Sequence, residues 1–180
     1  MKNSVEFDEI LKGCYKNQRS SQNSLYRLFY PYGMSVAIRY VHSEAEAISI
    51  VNDTFLKVFN NIKHYDTAQE FKPWFRKIIV NTAINYMKKE EKYKGLLGIE
   101  NASNIGVSSN AINKITYKEL LELLQKLSVA YRTAFNLYVI EGYSHKEIAK
   151  ILDVKESTSK SNLTRAREKL RELIKKRYTI

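Results

Sequence analysis

Apolar residues recur at three- and four-residue steps along most of this 180-residue chain, and no stretch sustains the apolar and polar alternation of a strand. The clearest case is residues 44–62, which Ser43 and Glu46 can cap reciprocally at the start. The inward stripe of this helix is Ala47, Val51, Phe55, Val58 and Ile62. The pattern therefore predicts an all-α fold.

The same periodicity predicts helices in both halves of the chain. The predicted ranges are 5–17, 22–41, 44–62, 71–92, 116–127 and 129–141, followed by two more helices within 143–175. Between the halves, residues 95–113 are rich in Asn, Ser and Gly and carry only one charge, which is typical of a linker.

This organisation predicts two small helical domains joined by a flexible linker. We place the first domain at residues 1–94, the linker at 95–114 and the second domain at 115–180. A chain of this length can bury one good core or two small ones, and the linker composition favours two.

The last two helices resemble a helix-turn-helix unit. Ser144 and Glu147 form a capping box, and Asp153-Val154 makes the turn. Apolar residues of the second helix recur on one face, while another face carries donors suited to base edges and phosphates. The residues of that second face are Lys160, Ser161, Thr164 and Arg165, with Arg167 at its flank. This pattern favours a helix that enters the major groove of DNA.

The concentration of positive charge on the last helix favours DNA binding over an ordinary solvent-exposed helix. Residues 158–180 carry eight Lys or Arg and two Glu, a net charge of +6, whereas residues 95–157 carry seven of each sign and balance to zero. The whole chain has a net charge of +11 and a pI near 9.6, which favours nucleic acid or an anionic membrane surface as a partner.

Several other classes are disfavoured. No apolar run approaches the roughly 20 residues that span a bilayer, and the first ten residues are too polar for a signal peptide, so we expect a cytoplasmic protein without membrane insertion. The lone Cys14 is expected to be buried or half-buried, and His42, His64 and His145 to be ordinary surface residues. We find no phosphate-cradling glycine loop, catalytic motif or zinc spacing, and predict no enzyme activity, metal or cofactor.

The fourth predicted helix mixes aromatic, amide and cationic side chains. Such a mixture can stack on and hydrogen-bond to unpaired bases. The mixed residues include Trp74, Phe75, Lys77, Asn81, Asn85, Lys88 and Lys89. Trp74 could equally belong to the core, and periodicity alone favours that alternative.

The order of these segments closely resembles the sigma-70 family of RNA polymerase sigma factors, of the small extracytoplasmic-function (ECF) type. The segments are EAISIVNDTFLKVF, FKPWFRKIIVNTAINYMKK, a polar linker, LLQKLSVAYRTAFNLYVIEGYSHKEIAKIL and STSKSNLTRAREKL. The resemblance covers nearly the whole chain. It implies a region 2 that melts promoter DNA and a region 4 helix-turn-helix, and a protein that binds core polymerase to direct transcription initiation.

The resemblance also implies residue roles. The minus-35 element would be read through Lys160, Ser161, Thr164 and Arg165, with Thr158 and Arg167 near phosphates. Tyr65 and Asp66 would line a pocket for a flipped base of the minus-10 element, Trp74 would brace its helix, and Lys77, Asn81 and Asn85 would face the melted strand. The clamp helices of the largest polymerase subunit would contact Glu46, Asn52, Asp53 and Lys57. Regulation by an anti-sigma factor and association with the nucleoid are further expectations.

Four residues depart from the family pattern. Ile48 and Ser49 stand where an acidic pair is usual, which would replace electrostatic with apolar contact. Asp153 stands where the turn often has Gly, and Ser159 replaces an apolar packing residue. Asp tolerates left-handed backbone better than most residues and Ser can bond back to its own helix, so we expect a workable but slightly destabilised turn.

Two alternatives remain open at this point. A stand-alone helix-turn-helix regulator, with a sensing or dimerisation domain in its N-terminal half, would explain the basic helix but not the aromatic, amide-rich one. A basic helical adaptor that binds protein or membrane surfaces would show no sequence preference.

Overall fold

The computed structural model describes residues 5–97 and 116–178, with side chains described throughout except at residues 91–97. These residues form helices and no strands. The α-helices are α1 (Val5–Tyr15), α2 (Arg19–Ala37), α3 (Glu44–Asn61), α4 (Phe71–Leu97), α5 (Tyr117–Gln125), α6 (Val129–Phe135), α7 (His145–Leu152) and α8 (Glu156–Tyr178). The all-α prediction is confirmed, with most helix ends within a few residues of their predicted positions.

The chain divides into two compact units, residues 1–86 and 87–180, and α4 contains the division. Because α4 extends to Leu97, residues 95–97 at the start of the predicted linker are helical. Leu96 and Leu97 are good helix formers, which is consistent with this extension, whereas Gly95 is a poor one. Residues 98–114 of the predicted linker lie outside the described residues, and the domain boundaries stay a prediction.

Phenylalanine rings from four helices form the centre of the first unit. Phe29 of α2 lies 4.8 Å from Phe71 and 5.4 Å from Phe75, both of α4, measured between ring centroids. Phe55 of α3 lies 5.2 Å from Phe75, and Phe7 of α1 lies 5.8 Å from Phe29. Tilted and edge-on rings at these distances add to the stabilisation from burial. The cluster thus holds α3 against α4.

The capping box predicted at Ser43 and Glu46 is present. The Glu46 side chain accepts from the backbone N–H groups of Ser43 and His42, at 2.9 and 3.1 Å, and the Glu46 N–H donates to Ser43 Oγ at 3.2 Å. Cys14 is fully buried, as expected, and burial raises the pKa of its thiol to about 11.

The second unit has its own core. Leu123, Leu124 and Leu127, in α5 and just after it, pack with Ala166 and Leu170 of α8. At the ends of α5 and α8, the Arg177 guanidinium donates to Glu122 at 3.0 Å. Among the described residues, no helix is both long enough and apolar enough to cross a membrane.

The predicted helix 129–141 is not uniform. It is α-helical to Phe135 and continues as a π-helix over Asn136–Ile140. The Glu141 N–H donates to the Asn136 carbonyl, five residues back, at 2.9 Å. A π-helix adds a residue to the turn and rotates the following side chains, and periodicity cannot reveal this. Tyr138 and Val139, both within this π-helix, are exposed.

The turn between α7 and α8 has the backbone anticipated from Asp153. This residue adopts φ 57° and ψ 51°, in the left-handed region, and the N–H of the next residue, Val154, donates to the Ala149 carbonyl at 3.0 Å. A left-handed residue at this point ends α7 and lets α8 begin three residues later.

Replacement of Asp153 should reveal the strain of this turn. We expect Asp153→Gly to raise the free energy of unfolding slightly, by about 0.5 kcal/mol, because Gly has no Cβ penalty at positive φ. We expect Asp153→Val to lower it by about 1–2 kcal/mol, since a β-branched side chain is strained there. Urea unfolding followed by circular dichroism measures both. Lys155→Val is the control for an exposed valine, and equal stability of Asp153→Val and wild type would contradict the expectation.

Candidate nucleic-acid and partner surfaces

One face of α8 collects the residues predicted to read duplex DNA. Ser159, Leu163, Ala166 and Leu170 are buried on the opposite face. The exposed predicted residues are Lys160, Ser161, Thr164, Arg165 and Arg167, and Thr158 is half-buried. The predicted set therefore shares one side of one helix, as a helix in a groove requires.

The first turn of this face contains an ion pair. Lys160 Nζ lies 2.7 Å from Glu156 Oε1, and this ammonium group lowers the pKa of the Glu156 carboxyl, with smaller contributions from His145 and Lys146. Both partners are about half exposed, so the pair contributes little to stability. Its effect is on charge: Glu156 places a carboxylate beside a lysine predicted to contact DNA.

Two expectations for the helix-turn-helix were wrong. Ser159 is buried, and its Oγ lies 3.0 Å from Nδ1 of His145 in α7, whereas we expected its hydroxyl to bond back to its own helix. The packing of α8 against α7 places Ser159 beside the first residue of α7, where the imidazole of His145 is within hydrogen-bonding distance. His145 is half-buried rather than on the surface. In the first unit, His42 is half-buried as well.

A groove in the first unit gathers residues from α3, α4 and the segment between them. It has a volume of about 500 Å³. The lining residues are Lys57, Asn61, His64, Trp74, Lys77, Ile78, Asn81, Thr82 and Asn85. Lys77, Asn81 and Asn85, at four-residue steps along α4, are all exposed there. The structure thus brings the three residues predicted to face a melted strand to one wall.

Lys57 reaches this groove from α3. Its Nζ donates to Thr82 Oγ1 at 3.1 Å, and the Thr82 hydroxyl donates to the Ile78 carbonyl at 2.8 Å. Sequence reasoning placed Lys57 with the polymerase contacts. In the structure its ammonium group lies among the residues assigned to the melted strand.

Trp74 serves both interpretations that the sequence left open. It is half-buried, with its ring centroid 4.9 Å from that of Tyr65 and 5.4 Å from that of Phe71, and it also lines the groove. Tyr65 is only 5% exposed, and its hydroxyl donates to the Gln69 carbonyl, so its ring supports the loop from inside. Asp66 is exposed, and its carboxylate accepts from the Ala68 N–H at 3.0 Å.

The outer face of α3 carries the other predicted polymerase contacts. Asn52 and Asp53 are exposed, and Asn52 Oδ1 accepts from the Tyr26 hydroxyl at 3.0 Å. Glu46 is half-buried in its capping box, which leaves it less available than predicted. Ile48 and Ser49 stand on this helix where the family resemblance implies an acidic pair. Ile48 is half-buried, and Ser49 is exposed with its hydroxyl donating to the Ala45 carbonyl.

Comparisons with known proteins agree with this geometry. Residues 25–93 match the sigma-70 region 2 family, and residues 117–170 match sigma-70, region 4. The ECF RNA polymerase sigma factor SigM of Bacillus subtilis is 31% identical over 134 residues, covering 71% of this chain and 78% of SigM. The chain belongs to the ECF family of RNA polymerase sigma factors.

Two further relatives are consistent with the assignment. The sigma factor SigV of Bacillus subtilis is 29% identical over 76% of this chain and 80% of its own length. The sigma factor RpoE of Bartonella quintana, solved in complex with the anti-sigma factor NepR, has a TM-score of 0.55 and 24% identity over 85% of this chain and 96% of its own, and shares the fold. A stand-alone regulator is not favoured, because region 2 occupies the N-terminal half.

The structure of this sigma factor also shows surface residues that sequence reasoning missed. Leu56, one turn after Asp53 on α3, is 63% exposed. Its position off the inward stripe could have indicated this exposure from the sequence. Ser157 is exposed one turn before Ser161 on the same face of α8. His64 and Asn61 line the groove, and only the fold shows that they do.

Loss of the Glu156 carboxylate should strengthen duplex binding. We expect Glu156→Gln to lower the Kd for a mixed-sequence duplex about three- to tenfold at low salt, since it releases Lys160 and removes repulsion from phosphates. Fluorescence anisotropy at several salt concentrations measures this effect, which should shrink as salt rises.

Glu172→Gln is a matched control. Glu172 pairs with Lys169 at 3.0 Å on the same helix, four turns further along, so the charge change is identical and only the position differs. Equal effects of the two substitutions would show that Glu156 has no special place on the side of α8 that is predicted to face DNA.

Proposed function

We propose that this sigma factor divides promoter binding between its two regions and docks on core RNA polymerase through the outer face of α3. The observation that carries the proposal is the groove of the first unit, which is lined by cations, amides and an indole ring from α3 and α4. That combination suits an unpaired DNA strand, because aromatic rings stack on bases while lysines and amides bind phosphates and base edges.

In this proposal the α4 groove opens the minus-10 element and α8 reads the minus-35 element. Opening DNA costs a few kcal/mol for each unstacked base, which stacking and capture by the groove would offset. Residues 1–94 form the melting domain, 95–114 the linker and 115–180 the reading domain. The protein supplies binding energy, and the polymerase performs nucleotidyl transfer, so the sigma factor has no enzymatic activity of its own.

Its proposed partners follow from this role. They are core polymerase, through its clamp helices, and promoter DNA both as duplex and as melted strand. An anti-sigma factor is a further proposed partner, of the kind that the Bartonella quintana relative binds. We place the protein in the cytoplasm, associated with the nucleoid through the polymerase.

The proposal is tested by reconstitution. Purified protein is mixed with core polymerase, genomic fragments retained by the holoenzyme are sequenced, and melted thymines on the selected fragments are mapped with permanganate. We expect a shared two-part sequence with melting over its downstream part. Failure to bind core polymerase at modest salt would overturn the proposal.

Lys57 and Asp53 should separate the two functions of α3. We expect Lys57→Ala to reduce open-complex formation about five- to tenfold without changing the Kd for core polymerase, because its ammonium group lies in the groove. We expect Asp53→Ala, on the outer face, to weaken core binding and to leave melting by saturated holoenzyme unchanged. Permanganate reactivity and a core-binding titration measure the two. A loss of core binding in Lys57→Ala would restore the original assignment of this residue.

Leu56 should contribute to core binding through apolar burial. Burial of an exposed leucine is worth about 1.5–3 kcal/mol, so Leu56→Ser is expected to weaken core polymerase binding tenfold or more. Leu28→Ser is the matched control, since Leu28 is also exposed, at 56%, but lies on α2. Equal Kd values for Leu56→Ser and Leu28→Ser would argue against an apolar contact at Leu56.

A further inference from the structure

A buried polar pair joins the two helices of the helix-turn-helix. Ser159 is only 1% exposed, yet it presents a hydroxyl among the apolar residues on the buried face of α8. Its Oγ lies 3.0 Å from Nδ1 of His145, the first residue of α7. A buried hydroxyl is costly without a partner, so this bond favours one placement of α8 against α7.

The imidazole of His145 is itself held from the other side. Its ring stacks on Tyr138, with the ring centroids 4.5 Å apart and the planes 25° apart. Tyr138 belongs to the π-helix Asn136–Ile140, which is the feature that departs from regular helix in this region. Because π-turns in helices often accompany functional positions, its location directly against His145 points to more than packing.

Tyr138 then leads back to α8. The Arg167 guanidinium carbon lies 5.8 Å from the centroid of the Tyr138 ring, within the range of a cation–π contact. Arg167 is exposed and stands two turns beyond Ser159 on the same helix. Three successive contacts therefore link Ser159 to His145, His145 to Tyr138, and Tyr138 to Arg167. Since Ser159 and Arg167 both belong to α8, these contacts hold α8 at two points.

We infer that His145 is a positioning residue for minus-35 recognition. Through Ser159 it fixes the rotation of α8 about its own axis, and through Tyr138 it holds the Arg167 side chain at the edge of the DNA-facing surface. The inference rests on the proposed function, and assigns base discrimination in part to a residue that need not touch DNA. A small rotation of α8 would move Lys160, Ser161 and Thr164 together relative to base edges, where readout depends on donor placement.

Three variants of the full chain separate the hydrogen bond from the stack. His145→Phe keeps a ring against Tyr138 and removes the bond to Ser159. His145→Asn keeps a polar atom close to the position of Nδ1 and removes the ring. Ser159→Ala removes the hydroxyl alone. Each is assembled with core polymerase, and promoter binding is measured on the minus-35 sequence selected by wild-type holoenzyme and on single base-pair variants of it.

We expect Ser159→Ala and His145→Phe to reduce the preference for the selected minus-35 sequence about three- to tenfold, with core binding and binding to unrelated duplex unchanged. We expect His145→Asn to recover much of the preference that His145→Phe loses, which a residue that only fills space would not do. The thermal transition of each variant gives its folded fraction, and preference is compared between folded proteins.

Two results would overturn the inference. One is wild-type preference in both Ser159→Ala and His145→Phe. The other is an equal loss of binding to selected and unrelated duplexes, which would indicate a structural role only. If one variant does not fold, the remaining two variants and the wild type decide, because they still include proteins with and without the bond between residues 145 and 159. A wild-type protein that shows no sequence preference would instead contradict the proposed function itself.

Discussion

Packing of Phe29, Phe55, Phe71 and Phe75 is the contact on which the first unit depends, because it holds α3 and α4 side by side. Each helix has one apolar face, and once these faces meet, the polar faces are left outside at a fixed spacing. Lys57 on one helix and Lys77, Asn81 and Asn85 on the other become the walls of a single groove. The groove is thus a consequence of the core rather than a separate construction.

In the second unit, too, burial of an apolar helix face leaves a polar face exposed, but polar contacts near the turn also fix the helix positions. Leu163, Ala166 and Leu170 bury one face of α8 and leave its cationic face exposed. The left-handed backbone at Asp153 sets where α7 ends, and the bond between Ser159 and His145 sets how α8 lies on it. An apolar contact would tolerate sliding, whereas a buried hydrogen bond requires one alignment. The proposed positioning role of His145 thus depends on Ser159, at a position where the family resemblance implies an apolar residue.

Much of this architecture could be predicted from particular residues. The capping boxes at Ser43, Thr116 and Ser144 mark helix starts by local chemistry, and the sequence analysis predicts the first and the last of them. The side of α8 that is predicted to face DNA follows from spacing along a single helix. The assignments that changed depend on neighbours distant in sequence: Lys57 bonds to Thr82, and His145 meets both Ser159 and Tyr138. No periodicity in one helix reports which helix will lie beside it.

The sequence by itself determined the helices, the order of regions 2 and 4, and the concentration of positive charge on α8, since all of these depend on local spacing and composition. The tertiary structure decided which of those surfaces share a groove and which polar residues are buried. It also decided that Tyr138, in the π-helix, stacks on His145. The physical reason is that side-chain contacts between helices arise from packing in three dimensions. Residues that are far apart in sequence, such as Lys57 and Thr82, therefore meet only in the folded chain.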